Sequence, residues 1–212
     1  MSMQKGDFIE IEFTGRIKNG GIFDSNIKED LEKANLKVDA KPFIFCLGKE
    51  MFLKGIDDFL AGKEIGKYEI ELTPEKAFGN RNPKLVQIIS IKIFREHKVP
   101  PVPGELFRFD NSVGKILSVS GGRVVVDFNN PLAGKILVYK IKIIREIKDI
   151  NEKVKALNEF LFKKDFKFEL EDKKIIIHVE KPMAKFVEIF KEKFKDVLGL
   201  EMEVKEEDTG KQ

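Results

Sequence analysis

Four stretches of this chain place an apolar residue at every second position, and that period constrains the fold more than any other feature. In DFIEIEFTGRI, Ile9, Ile11 and Phe13 alternate with Glu10 and Glu12. KPFIFCLG puts Phe43, Phe45 and Leu47 on one face, and KYEIEL does the same with Tyr68, Ile70 and Leu72. In GKILVYKIKIIREI, Leu137, Tyr139, Ile141 and Ile143 face one way and leave Lys140 and Lys142 on the wet side. Successive strand side chains point to opposite faces, so each stretch is expected to be a strand with one face on a core. The element covering that core is expected in KEMFLKGIDDFLAG, where Phe52, Ile56, Phe59 and Leu60 recur at helical spacing and Gly62 ends the run. Asn19, Gly20 and Gly21 read as a turn in which glycine takes positive backbone angles at little cost. In TPEKAFGNRNP, Thr73 and Pro74 read as a helix start.

The pattern changes between Pro83 and Pro131. LVQIISIKIF and RVVVDF are strand-like runs, separated by HKVPPVPGE and by the Gly121-Gly122 turn, and Pro100, Pro101 and Pro103 make the connector stiff and extended. A small all-β insertion is expected there. From Asn151 another unit begins, with Val154, Leu157, Phe160 and Leu161 on one helical face. FKFELE and KIIIHVE read as a hairpin across Asp172 and Lys173, with His178 as a strand residue at an edge. Pro182 suits a helix's first turn, and Phe186, Ile189, Phe190, Phe194 and Val197 continue a single apolar stripe to Gly199 before LEMEVK alternates as a last strand.

The expected class is therefore α+β. The expected domains are residues 1–83 with 131–148, an insertion over 84–130, an α-β-β-α-β unit over 149–206, and a polar tail over 207–212. A unit of about 55 residues is near the lower limit for an independent core, and its sheet edges invite pairing, so a homodimer through this unit is expected.

Composition narrows the chemistry. Hydrophobic residues make up 42% and charged residues 35%, a globular composition, and 39 basic residues are offset by 36 acidic ones for a net charge of +3. Because the two signs are interleaved, nucleic acid is not an expected partner. The single Cys46, inside FIFCLG, excludes an intramolecular disulfide and reads as a small buried hydrophobe. No apolar run approaches the roughly 20 residues that cross a bilayer, and MSMQKGDFIEIE lacks a signal-peptide core, so a cytoplasmic chain with no membrane contact is expected. The Lys, Glu and Ile bias resembles thermophile composition.

With two histidines far apart, no Cys and His metal spacing, no phosphate-cradling loop and no dinucleotide fingerprint, the sequence points away from hydrolysis, redox and phosphoryl transfer. No cofactor or metal is expected. What remains is an unusual aromatic set of 19 Phe, two Tyr and no Trp. Most of these fill cores, while Phe13, Phe23, Phe43 and Phe78 fall at strand ends or beside loops, from which a cleft is lined.

Taken in order, IEFTGRI, GGIFDSN, KPFIFCLGKEMFLKGIDDFLAG, TPEKAFG and LVYKIKIIREI resemble the FKBP-type peptidyl-prolyl cis-trans isomerases over roughly residues 3–148. The insertion after AFG, closing at NPLAG, resembles the insert-in-flap domain of the SlyD subfamily and its archaeal relatives. The resemblance implies a bent antiparallel sheet wrapped on the short helix, with an apolar prolyl pocket between them. It assigns to that pocket Phe13, Phe23 and Asp24, Phe43, Phe52 and Leu53, Ile56 as the floor, Phe78 and Tyr139 at the sides, and Leu132 at the rim. The family commonly has tyrosine where this chain has Phe13 and Phe78, which removes two phenolic donors. The His- and Cys-rich tail of bacterial SlyD is also absent, so nickel binding is not carried over.

The resemblance further implies a folding helper that acts on X-Pro peptides and unfolded chains, with the insertion capturing clients. The alternative is a non-catalytic holdase that uses the same surfaces. Asp24 divides the same way: Asp-Ser-Asn is good turn chemistry by itself, and a carboxylate at a pocket wall is the other reading.

Overall fold

The computed structural model describes residues 2–109 and 112–207. By internal contacts the chain forms two compact units, one of Met1–Glu71 with Val138–Gln212 and one of Leu72–Leu137. The first elements are β1 (Phe8–Ile17), β2 (Ile22–Ser25), α1 (Lys28–Lys33), β3 (Phe43–Cys46), α2 (Lys54–Leu60) and β4 (Gly66–Leu72). Then come β5 (Val86–Ser90), α3 (Ile91–Glu96), β6 (Leu106–Phe109), β7 (Ser112–Ser120) and β8 (Arg123–Asp127). The chain continues with β9 (Leu137–Ile147), α4 (Ile150–Phe162), β10 (Phe168–Glu171), β11 (Lys174–Glu180), α5 (Lys181–Glu188), α6 (Lys191–Leu198) and β12 (Glu201–Glu207). The result is a mixed α+β protein with several antiparallel sheets. No described helix is long and apolar enough to cross a membrane.

The four alternating stretches form β1, β3, β4 and β9, joined with β2 in one five-stranded sheet. Its strand order is β2-β1-β9-β4, and β3 also pairs with β1. One edge of β1 thus serves two partners: Phe8 to Ile11 pair with Cys46 to Phe43 of β3, and Thr14 to Arg16 pair with Ser25 to Ile22 of β2, both antiparallel. The helical run begins at Lys54, so Phe52 lies before α2, and Ile56 and Leu60 on that helix are completely buried. At the first turn it is Asn19 that takes the left-handed conformation, with φ 60°, and not Gly20 or Gly21. Asparagine tolerates that region better than other side-chain-bearing residues.

In the second unit the order β5-β8-β7-β6 makes a four-stranded antiparallel sheet. It is not all-β. The strand-like run LVQIISIKIF breaks at Ser90, whose hydroxyl accepts from the Lys92 N–H at 3.3 Å and caps α3. The turn brings Phe94 onto the sheet, where it is fully buried with Phe107, Ile116, Val124 and Val126. A small sheet with one polar face gains a core by this means, and burial outweighs the β propensity of the isoleucines.

The last elements follow the α-β-β-α-β order with two corrections. The single stripe to Gly199 is divided into α5 and α6 at Ile189 and Phe190, so Phe194 and Val197 are buried while Phe186 and Ile189 are 45% and 74% exposed. His178 is not at an edge: it lies in β11, the middle strand between β10 and β12, with Glu169 3.1 Å from Nε2 and Glu207 3.2 Å from Nδ1. Of the expected polar tail, residues 208–212 lie outside the described residues.

Only Lys148 and Asp149 separate β9 from α4, and the Asp149 carboxylate caps the helix by accepting from Asn151 N–H at 2.8 Å. Arg145 on β9 reaches both Glu10 of β1, at 2.7 Å, and Glu152 of α4, at 2.5 Å. Lys153 of α4 lies 5.7 Å over the Phe8 ring, and Lys49 pairs with Asp196 of α6 at 2.5 Å. Phe8, on the outer face of β1, is buried under this cover. Exposed ion pairs contribute up to about 1 kcal/mol each, so the burial of Phe8 and the short link do more to fix α4.

Asp57 on α2 is only 2% exposed, and burial pushes its carboxyl from 3.8 up to about 6, partly opposed by N–H groups of Glu50 and Gly48. The folded chain therefore holds this proton more tightly than the unfolded chain. The stability it contributes is present below the ordinary value of 3.8 and is lost as pH rises through about 6. Denaturant unfolding of the native chain and Asp57→Asn should show the native chain losing about 2 to 3 kcal/mol relative to the variant between acidic and neutral pH. A difference that stays constant with pH would contradict the assignment.

Candidate functional site

The site is built where β1 changes partner. On this edge, Glu12 and Phe13 lie between the β3 pairing, which ends at Ile11, and the β2 pairing, which begins at Thr14. Asn26 bridges this break: its Oδ1 accepts from Phe13 N–H at 2.7 Å, and its Nδ2 donates to Ile11 O at 2.8 Å and Lys41 O at 3.1 Å. The Ser25 hydroxyl donates to Phe13 O at 2.9 Å, and Thr14 donates to Asp30 of α1 at 2.6 Å. Buried backbone groups are thereby satisfied by side chains, and Phe13 is held at the crossing.

Gly15, two residues on, leaves the face of β1 open. A Cβ there would come within 2.8 Å of the Tyr139 ring and 3.0 Å of Phe23, so only glycine lets these rings close over the strand. Phe23 and Tyr139 then meet edge to face at 5.8 Å. Phe13, Phe43 and Phe52 form a mutual cluster with ring centres 5.0 to 5.6 Å apart, and Phe52 reaches Tyr139 at 5.8 Å. The result is a set of rings in edge and tilted contacts, the geometry their quadrupoles favour.

Four of the ten expected site residues, Phe13, Asp24, Phe43 and Phe52, line one cavity of about 630 Å³. Phe23 and Tyr139 stand in the ring set beside it. Leu53 is the residue that opens α2, and Ile56 is fully buried in that helix. Phe78 and Leu132 lie in the second unit, Phe78 just after a 3-10 turn at Pro74–Lys76 and Leu132 in a turn whose N–H donates to Asn130 Oδ1 at 2.8 Å. That 3-10 turn replaces the helix expected from Thr73 and Pro74, because Gly79 bonds back to Pro74 O at 2.7 Å and closes it.

Asp24 is partly buried, and loss of solvation raises its pKa, with a Ser25 backbone hydrogen bond opposing the shift. Its charge in turn raises the Tyr139 hydroxyl, which burial already pushes upward. The remaining wall comes mostly from residues that the sequence did not single out; Phe160 was expected only on the apolar face of a helix. Lys155, Ala156, Glu159 and Phe160 of α4 and Lys163 just after it line the same cavity, together with Lys41.

Cys46 is fully buried, its thiol donates to Gly6 O at 3.3 Å, and burial pushes its pKa up to about 11, so it stays protonated at neutral pH. Among the described residues, no cluster of His, Cys, Asp and Glu is arranged to hold a metal ion.

Comparison with known proteins gives a consistent picture. A family model described as FKBP-type peptidyl-prolyl cis-trans isomerase matches residues 1–95, and one described as FKBP26, IF domain matches residues 87–132. The short-type peptidyl-prolyl cis-trans isomerase of Methanocaldococcus jannaschii is 28% identical over 145 residues, covering 66% of this chain and 92% of that protein. The probable FKBP-type 16 kDa peptidyl-prolyl cis-trans isomerase of Pseudomonas fluorescens is 31% identical over 142 residues, covering 64% and 86%. The FKBP-type peptidyl-prolyl cis-trans isomerase SlyD of Aeromonas hydrophila is 27% identical over 147 residues, covering 67% and 61%.

Replacing Asn26 by alanine removes three hydrogen bonds and strands the Phe13 N–H. We expect Asn26→Ala to lose about 2 to 4 kcal/mol in denaturant unfolding, whereas an exposed-site change such as Lys33→Ala stays within about 0.5 kcal/mol. Equal, small effects for both would show that the crossing does not depend on Asn26.

Proposed function

The chain belongs to the FKBP-type peptidyl-prolyl cis-trans isomerase family, and from that premise we propose that the cavity walled by Phe13, Phe43 and Phe52 is where a substrate X-Pro bond rotates. The enzyme class is that of its relatives, peptidyl-prolyl cis-trans isomerase. The observation that carries the site assignment is the joining of Phe13, Phe43 and Phe52, distant in sequence, with one partly buried carboxylate, Asp24, in a single cavity.

The reaction suits such a site. Rotation about a prolyl amide is opposed by a barrier of about 18 to 20 kcal/mol from partial double-bond character, and it needs neither a nucleophile nor a proton transfer. The twisted amide loses resonance and part of its charge separation, so replacing water by aromatic walls favours it over the planar ground state. An acceleration of about 10⁴ to 10⁶ requires only around 5.5 to 8 kcal/mol of preferential stabilisation. Asp24 follows Phe23 in β2, bonds the Ser25 backbone, and its charge acts on Tyr139. Its orienting role is the larger one.

We extend the proposal to the insertion and to the last unit. The match over residues 87–132 supports an insert-in-flap domain of the SlyD type. Among the described residues, eight of the twelve exposed large hydrophobic side chains fall between Leu85 and Leu117, and Leu106, Val113 and Leu117 line a groove of about 600 Å³ within that unit. Such concentrated apolar exposure supports capture of unfolded chains, with the isomerase pocket acting on what is captured. Exposed Phe186 on α5 and Ile189 at its C-terminal end support self-association of the last unit as a homodimer.

NMR exchange spectroscopy on an Ala-Xaa-Pro-Phe peptide tests the catalytic reading: catalytic amounts of the chain should accelerate cis/trans exchange, and binding without acceleration would leave a holdase. Asp24→Ala should lower turnover several-fold while changing unfolding free energy by less than about 1 kcal/mol; unchanged exchange kinetics in the folded variant would return Asp24 to a turn residue. Deleting residues 84–130 should slow catalysed refolding of a protein substrate but spare a short peptide. Equal losses on both substrates would reject the division of labour.

A further inference from the structure

The cavity that contains the aromatic pocket does not end at the isomerase sheet, because its far wall is one face of α4. At about 630 Å³ it is larger than a pyrrolidine ring needs and is of the size that holds several side chains of a bound segment. Helical spacing put Phe160 on the same buried face as Val154 and Leu157; in the structure Val154 and Leu157 are completely buried, while Phe160 remains half-buried and faces the cavity. Its ring carries the Lys163 ammonium at 5.8 Å.

The charges on this wall are unequal. Among the described residues, Lys41, Lys155 and Lys163 line the cavity and make no ion pair, whereas Glu152 is held by Arg145 at 2.5 Å. Glu159 is then the one carboxylate on the α4 face without an ion pair, and Asp24 stands at the prolyl end. The wall is also anchored at its start. Two residues connect it to β9, Asp149 caps it, and Arg145 ties it to β1. A preformed surface of this kind loses little ordering entropy when a chain lies on it.

We propose that α4 is the second wall of the substrate groove, forming a subsite for residues flanking the substrate proline that favours acidic side chains. The occupant is an X-Pro polypeptide whose flanking carboxylates meet Lys41, Lys155 and Lys163 while neighbouring apolar atoms lie on Phe160 and Ala156. The inference rests on the reading of the aromatic pocket as the proline site. It gives the last unit a part in substrate choice in addition to any self-association.

The test uses the full chain at low salt and two peptides that share one X-Pro centre, flanked on both sides by glutamates in one and by lysines in the other. NMR titration gives Kd, and exchange spectroscopy on the same samples gives turnover. The native chain should bind the glutamate-flanked peptide about two- to five-fold more tightly for each lysine engaged. High salt should shrink that preference. Lys155→Glu should abolish or invert it, and Lys41→Glu, on a separate segment, should do the same if the first variant folds poorly. Equal Kd values for the two peptides, or a preference unchanged in both variants, would overturn the subsite. Flank-dependent binding without catalysed exchange would uphold the subsite while rejecting the isomerase reading, so the two claims fail separately.

Discussion

The site rests on the hydrogen bonds that one side chain, Asn26, makes to the backbone of β1. A strand that pairs with two partners along one edge must leave a gap between them, and an unbonded peptide group there would cost about 1 to 3 kcal/mol. By bonding Ile11, Phe13 and Lys41 at once, Asn26 fills the gap and fixes the spacing between β2 and β3. That spacing sets the rest: Phe43 begins the strand on one side, Phe23 and Asp24 lie in the strand on the other, and Phe13 sits between them. Gly15 then gives Tyr139 and Phe23 the room to close over β1.

Burial of charge is the second organising effect. Asp24 and Asp57 both have raised pKa values for the same first cause, loss of solvation, and in both cases backbone N–H groups offset part of it. For Asp57 the result is structural, a carboxyl inside the short helix. For Asp24 it is a partly buried group on the wall of the aromatic cavity, and its charge acts on Tyr139. A site that works by replacing water around an amide needs walls of this kind and gains little from a reactive side chain, in keeping with the inert, buried Cys46.

The strands of the first sheet were legible because one face of each is buried and the period of two survives in the sequence. β1, β3 and β9 fall within the alternating stretches, and β4 exceeds its own only by Gly66. Less legible were features decided by tertiary contact. Ser90 turns a strand-like run into a helix because Phe94 is needed on the small sheet, and the stripe through Phe186 and Phe194 is cut into two helices with different exposures. In the site, the aromatic residues could be picked out by their places beside loops and by resemblance. Asn26 was hidden because asparagine after Asp-Ser reads equally well as turn chemistry. The α4 wall was hidden because helical periodicity gives a face but not the rotation that turns Phe160 toward a cavity built by other elements. The two-residue link from β9 to the Asp149 cap was its one sequence signal.

The central claim is that rotation is promoted by moving the prolyl amide from water into an aromatic cavity, with no proton transferred. It is tested most directly by comparing catalysed exchange of one X-Pro peptide in H₂O and D₂O at matched acidity, with the native chain saturated by substrate. Proton transfer in the limiting step would slow the reaction in D₂O. The account predicts equal rates in the two solvents, and a several-fold slower rate in D₂O would contradict it.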